Sequence, residues 1–260
     1  KDNEAKLIWQ SLLPFRQQGG SYPVFCIHAI GGNVLNYRRF SGYISEHHPL
    51  WGVQARGLDG ITPVPGSLKD MAKNYGEEIL SCCSGRSPVL LGGSMGGAIA
   101  VEVARYLELK GLPVKLVVMI DTIGPESIGE AFAGLFIFEG ISDFFQRLKK
   151  SIRARAEYYS KSLLIKFYLM SAKTLPARFR PIYVEAQHRV IYSKYAPERY
   201  VGKVVLIRQP LEASGLYADA ELGWGSTFKE LKKIYVTGDH AAMIEDLEVG
   251  MVIGQLIDEL

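Results

Sequence analysis

Short apolar runs alternate along the chain with longer stretches in which apolar residues recur every three or four positions, and this rhythm sets the expected architecture. Tyr22 to Ile30 reads as a buried strand that ends in the glycine-broken loop Ala29-Ile30-Gly31-Gly32-Asn33. Asn36 to His47 is helix-like, and Pro49 to Gln54 is a second strand running into the turn-rich stretch from Arg56 to Gly60. Leu68, Met71, Ala72, Tyr75 and Ile79 share one face of a helix over Ser67 to Ser81, with Ser67 placed as its N-cap. A strand from Pro88 leads through glycines to a helical run over Ala98 to Lys110, which Gly111 and Pro113 stop. Val114 to Ile120 is all apolar, as suits a central parallel strand covered on both faces.

From Ser127 to about Tyr192 the strand-helix rhythm ceases, and the chain turns aromatic, rich in Lys and Arg, and helix-like, with one break at Leu175-Pro176. Val204 to Arg208 and Ile234 to Val236 then resume as short strands, and a helix from about Leu247 closes the chain. Alternation of this kind predicts an α/β domain with a mostly parallel sheet and a helical insertion over its site.

Composition narrows the class. At 260 residues the chain fits one large domain over 1–260, and 48% hydrophobic with 22% charged residues is ordinary for a globular protein. No apolar run reaches the roughly 18 residues that span a bilayer, so no membrane partner is expected. A net charge of +3 does not point to nucleic acid, but ten basic residues from Arg147 to Arg180 face the single acid Glu157, a local positive field. Cys26, Cys82 and Cys83 form neither a disulfide framework nor a metal-ligand spacing, which suits a reducing cytoplasm and no metal. Lys1 to Gln10 carries no signal pattern and looks like a cut from a longer polypeptide.

The chemistry concentrates in Gly92-Gly93-Ser94-Met95-Gly96. A strand that runs through Gly-x-Ser-x-Gly directly into a helix makes a very tight turn, with glycines removing side-chain bulk two residues before and after the serine. Ser94 is pushed to the tip as a candidate nucleophile, and the Met95 N–H at the helix start is free to receive an oxyanion. The loop after the first strand offers a second donor, through the backbone of Ala29 or Ile30. Asp121 closes the apolar strand at the sheet edge where α/β active sites assemble. His240 stands on a glycine-containing loop after the last strand, where a hydrolase base belongs. The order Ser94, Asp121, His240 is that of α/β-hydrolases. His47 and His48, at a helix end beside Pro49, read as solvated.

At these residues the sequence resembles the type I thioesterase domains that end nonribosomal peptide synthetases and polyketide synthases. The resemblance rests on Phe25 to Gly32, Gly92 to Gly97, Asp121-Thr122, Tyr200-Val201-Gly202, Gly223-Trp224 and Gly238-Asp239-His240. It implies an α/β-hydrolase fold with a lid over about 127–182. It also implies Ser94 as nucleophile, His240 as base, Asp121 as its orienter, and oxyanion donors at Met95 and at Ala29 or Ile30, with His28 structural. The implied reaction passes an acyl, peptidyl or polyketide chain from carrier-bound phosphopantetheine to Ser94, then releases it by hydrolysis or macrocyclisation, with no cofactor of the domain's own. The implied partner is an acyl or peptidyl carrier protein upstream in the same megasynthase, and the basic lid is a candidate surface for docking it. Stand-alone editing thioesterases resemble the pattern but place the acid after a later strand, where Asp219 is the candidate. A general serine esterase on the same fold, or a silent binding module with a broken triad, are the other readings.

Overall fold

Seven strands form one sheet: β1 (Leu12–Arg16), β2 (Val24–Ile27), β3 (Leu50–Val53), β4 (Val89–Gly93), β5 (Leu116–Ile120), β6 (Val204–Arg208) and β7 (Leu231–Tyr235). The computed structural model in which they lie describes residues 10–127, 168, 174–212, 215–238, 240 and 242–260. The spatial order is β1-β3-β2-β4-β5-β6-β7. Every neighbouring pair is parallel except β1 with β3.

The central strands are apolar at every position, yet successive side chains still part to opposite faces. Phe25, Ile27, Leu90, Val117 and Met119 pack with α1 (Leu68–Cys83) and α2 (Met95–Leu109). Val24, Cys26, Val89, Leu91 and Val118 pack instead with a 3-10 helix (Leu35–Gly42) and α4 (Leu247–Asp258). A further helix among the described residues, α3 (Arg180–Tyr192), reaches the loops after β2 and β3: its Val184 packs against Gly32 and Gly57. Ser67 caps α1, its hydroxyl accepting from the Asp70 N–H at 3.1 Å.

Chain direction across the sheet reverses at β2. β3 lies on one side of it and β4 on the other, so the loops after β2 and β4 part and leave a crevice at the C-terminal edge.

The structure departs from the expected elements in four places. β1 is an additional strand, an antiparallel edge whose Pro14 and mixed burial hid it from periodicity, and edges are where a strand tolerates proline. The expected helix over 36–47 is a 3-10 helix ending at Gly42. The Arg16 guanidinium takes up carbonyls just beyond it, those of Ile44 at 3.0 Å, Ser45 at 2.7 Å and His48 at 3.1 Å, so no continued helix is needed to satisfy them. β7 begins at Leu231, not Ile234: the adjacent Lys232, exposed, and Lys233, half-buried and paired with Glu221 at 3.0 Å, interrupt the apolar run on this edge strand. His48 is buried, not solvated: its Nδ1 lies 3.0 Å from the Tyr22 carbonyl and its ring centroid 4.4 Å from that of Tyr22.

Of the expected lid over 127–182, only Ser127, Tyr168 and 174–182 are described; the rest, with most of the basic stretch from Arg147, lies outside the described residues. The two basic residues described within it are engaged. Arg180 donates to the Leu175 carbonyl at 2.7 Å, and the Arg178 guanidinium sits 4.7 Å from the Phe179 ring centroid.

Candidate active site

Ser94 occupies the turn between β4 and α2 with φ 51° and ψ −129°, a backbone conformation that residues with a Cβ rarely adopt. Strain of this kind persists only where the surroundings hold it, and here they do. The Ser94 N–H donates to the Ile120 carbonyl at 2.8 Å, its carbonyl accepts from Gly97 at 3.1 Å, and the Gly93 N–H donates to the Tyr37 hydroxyl at 2.7 Å. The flanking glycines are required for space. A Cβ on Gly92 would collide with the Gly96 carbonyl, and one on Gly96 would stand 2.6 Å from the carbonyl oxygens of Ile27 and His28. That second approach brings the end of β2 against the first turn of α2.

His240, on the loop after β7, lies with Nε2 3.2 Å from Ser94 Oγ and Nδ1 2.7 Å from Asp121 Oδ2. A carboxylate only accepts, so Nδ1 carries the proton, and Nε2 presents a lone pair to the serine hydroxyl. Asp121 follows β5 with φ 44° and is 1% exposed. Its N–H donates to the Ile207 carbonyl at 2.7 Å. The three residues come from the ends of β4, β5 and β7 and meet at one sheet edge.

Two further side chains reach the same carboxylate oxygen. The Tyr217 hydroxyl donates to Asp121 Oδ2 at 2.6 Å, and Gln209 Nε2 lies 3.3 Å from it and 2.9 Å from the Tyr217 oxygen. Burial first, then the bond to Asp121, pushes the Tyr217 phenol far up, so it stays a donor. Its loop is held by Arg208, fully buried, which donates to the carbonyls of Gln209, Tyr217 and Asp219 and sits 5.7 Å from the ring centroids of both Tyr217 and Tyr235. Sequence reasoning missed both Tyr217 and Gln209. Gln209 follows β6 at the catalytic edge and was open to the positional argument applied to Asp121; Tyr217, in an aperiodic excursion, carried no such signal.

Asp219 serves its own turn. Its carboxylate accepts from the N–H groups of Glu221 at 2.9 Å and Gly223 at 2.5 Å, and among the described residues His240 bonds Asp121 in its place. Asp239 lies outside the described residues.

Met95 opens α2 and Ala29 and Ile30 follow β2, the strand beside β4, so both candidate oxyanion donors border the crevice. Among the described residues none of their N–H groups donates to another backbone group. His28 is wholly buried beside them, Nδ1 2.8 Å from the Ala29 carbonyl and Nε2 2.8 Å from the Tyr75 hydroxyl. Trp224 Nε1 donates to the Thr122 carbonyl at 2.8 Å and fixes the loop after Asp121. Among the described residues no cluster of His, Cys, Asp or Glu is arranged to hold a metal ion, and no helix is long and apolar enough to cross a membrane.

Residues 22–133 match the family described as Thioesterase domain. A dimodular nonribosomal peptide synthase of Bacillus subtilis (strain 168) is 36% identical over 110 residues, covering 42% of this chain and 5% of that protein. The polyketide synthase PksR of the same organism is 36% identical over 122 residues, covering 46% of this chain and 5% of that protein. The chain thus matches only a small part of these curated relatives. In fold, the NocB thioesterase domain from the nocardicin cluster superposes with a TM-score of 0.65 at 16% identity, covering 96% of this chain and 97% of that one. In sequence over 22–133 and in fold over nearly its whole length, the chain is similar to the thioesterase domains of nonribosomal peptide and polyketide synthases, and its architecture is that of an α/β-hydrolase.

Proposed function

We propose that this chain is a serine thioesterase that takes an acyl, peptidyl or polyketide chain from the phosphopantetheine of a carrier protein and releases it by hydrolysis or macrocyclisation. The observation that supports this most is the relay from Ser94 Oγ through His240 to Asp121, standing in a chain whose residues 22–133 match thioesterase domains. A serine hydroxyl is a poor nucleophile until a base takes its proton. His240 Nε2 accepts that proton as Oγ bonds to the thioester carbonyl carbon, and Asp121 stabilises the imidazolium through Nδ1. Negative charge then collects on the carbonyl oxygen, for which the N–H groups of Met95 and of Ala29 or Ile30 are the proposed donors. As the C–S bond breaks, His240 returns the proton to the departing thiolate. Water, or a hydroxyl or amine of the substrate, then attacks the acyl-serine; its proton passes to His240 and from there to Ser94 Oγ.

The phosphopantetheine arm belongs to the carrier, so the proposed reaction calls for no cofactor of the domain's own. The dimodular architecture named for the Bacillus peptide synthase supports a carrier upstream in the same polypeptide, and a cytoplasmic setting agrees with the unpaired Cys26, Cys82 and Cys83. The test compares kcat/KM for an acyl thioester of pantetheine, free and carrier-bound, with that for the matching oxygen ester. The expected result is preference for the carrier-bound thioester. Faster turnover of the simple ester, with no gain from the carrier, would replace this reading with a general serine esterase.

A further inference from the structure

Two imidazoles lie stacked beside the loop after β2, both 0% exposed: those of His28 and of His188 from α3, with centroids 5.0 Å apart and planes 10° from parallel. Each engages a carbonyl of that loop through Nδ1, His28 that of Ala29 at 2.8 Å and His188 that of Ile30 at 2.7 Å. Carbonyls accept only, so both Nδ1 atoms carry protons. Burial lowers the proton affinity of both rings, which holds them neutral. Tyr75 satisfies the second nitrogen of His28, whereas Nε2 of His188 has no partner among the described residues. The one nitrogen of His188 that is engaged points at the loop.

A trans peptide directs its C=O and N–H to opposite sides, so a donor on a carbonyl also aims the N–H of the same plane. The Ala29–Ile30 plane is held twice, by His28 and by the Gly32 N–H at 2.9 Å. For the Ile30–Gly31 plane, the described carbonyl contact is His188, 158 residues away in sequence. Ile30 sits between the two planes, and with both pinned its φ and ψ have no room to drift. α3 also touches the loop by packing, since a Cβ on Gly32 would stand 3.0 Å from Val184 Cγ1.

We propose that His188 is a positioning residue for the oxyanion hole: from α3, its Nδ1–H holds the Ile30–Gly31 peptide and so braces, from its C-terminal side, Ile30, whose own N–H in the Ala29–Ile30 plane is a candidate donor beside Ser94. The inference rests on the thioesterase reading above. It goes beyond that reading by giving a residue outside the relay control over stabilisation of the tetrahedral intermediate. Donor geometry acts on the developing oxyanion more than on the bound ground state, so its loss is expected to appear in kcat and not in KM.

Three variants separate this role from packing. His188→Phe keeps a ring against His28 and deletes the donor; His188→Asn returns an amide N–H near the place of Nδ1; His188→Gln puts its amide near the place of Nε2, away from the loop. Each is assayed for kcat and KM on an acyl-pantetheine thioester, with thermal unfolding recorded alongside. Deleting a whole oxyanion donor typically costs about 10²–10³ in kcat, so loosening one is expected to cost about 10–100-fold in His188→Phe with KM within about threefold. His188→Asn should recover most of that loss and His188→Gln should not. If His188→Phe does not fold, the same contrast between Asn and Gln decides. Unchanged kcat in His188→Phe, or Asn performing no better than Gln, overturns the inference. Absence of thioester turnover in the wild type strikes the thioesterase reading instead, which keeps the two failures apart.

Discussion

Asp121 meets its three partners on a single oxygen. Oδ2 accepts from His240, Tyr217 and Gln209, while Oδ1 is buried with no partner among the described residues. Replacing Asp121 by Asn puts an amide N–H where an acceptor is needed and turns His240 to the wrong tautomer, a change that costs about 10⁴ in kcat in a serine protease built on the same triad. Asp121→Asn is therefore expected to lose turnover on that scale, and Asp219→Asn, whose carboxylate only braces its own turn, less than about fivefold. Steady-state kinetics on both variants checks this, and the reverse pattern would favour the editing-thioesterase arrangement. The meeting of Ser94, Asp121 and His240 was legible because each follows a strand or glycine signal that places it at the C-terminal edge of the sheet. Tyr217 and His188 were not, because their placement depends on which segments tertiary packing brings together, and a lone Tyr or His carries no pattern; Gln209, following β6, was open to the positional argument and went unused.

At the scale of elements, the turn from β4 into α2 is the demanding one. Gly92 is needed for close approach, since its Cβ would meet the Gly96 backbone, which cannot swing aside as a side chain can. Gly85 is a useful contrast: it has φ 77° and nothing within 4 Å of a built Cβ. Gly85→Ala is expected to lose about 1–2 kcal/mol, the usual cost of a left-handed residue, with activity kept. Gly92→Ala should lose activity by at least about tenfold even where the protein still folds, because the elbow itself must move. Denaturant unfolding with parallel assays tests the pair; equal effects would contradict the account. Ser67→Ala removes the cap on α1 and is expected to cost about 1 kcal/mol, read as a lowered denaturant midpoint at unchanged slope. The buried strands and α1 were legible from continuous apolar runs and a capped 3.6-residue period. β1 was hidden by its short, half-exposed edge position, and the helix expected over 36–47 gave way because Arg16, distant in sequence, satisfies the carbonyls beyond Gly42.

For the molecule as a whole, the histidine pair is buried beside the loop after β2, and this couples stability to pH. His28 has its proton affinity pushed from an ordinary value of 6.5 down to about 3 by burial first and His188 second, and burial shifts His188 the same way. Both rings therefore stay neutral when folded in a range where the unfolded chain binds protons. The stability they contribute is complete above about pH 6.5 and is lost as pH falls below it, for His28 down to about 3, by up to about 1.4 kcal/mol per pH unit for each ring titrating in this sense. Urea unfolding between pH 7 and 4.5 should show stability falling with pH, and a shallower fall in His188→Phe; equal slopes would contradict this. The parallel order and the switch beside β2 place Ser94, His240 and the loop after β2 around one crevice, and the proposed function makes Ser94 its nucleophile. The direct measurement is intact mass and peptide mapping after exposure to a fluorophosphonate. A single adduct on Ser94, absent in Ser94→Ala and much slower to form in His240→Ala, is the result expected; an adduct on another serine, or full thioester turnover by Ser94→Ala, would contradict it.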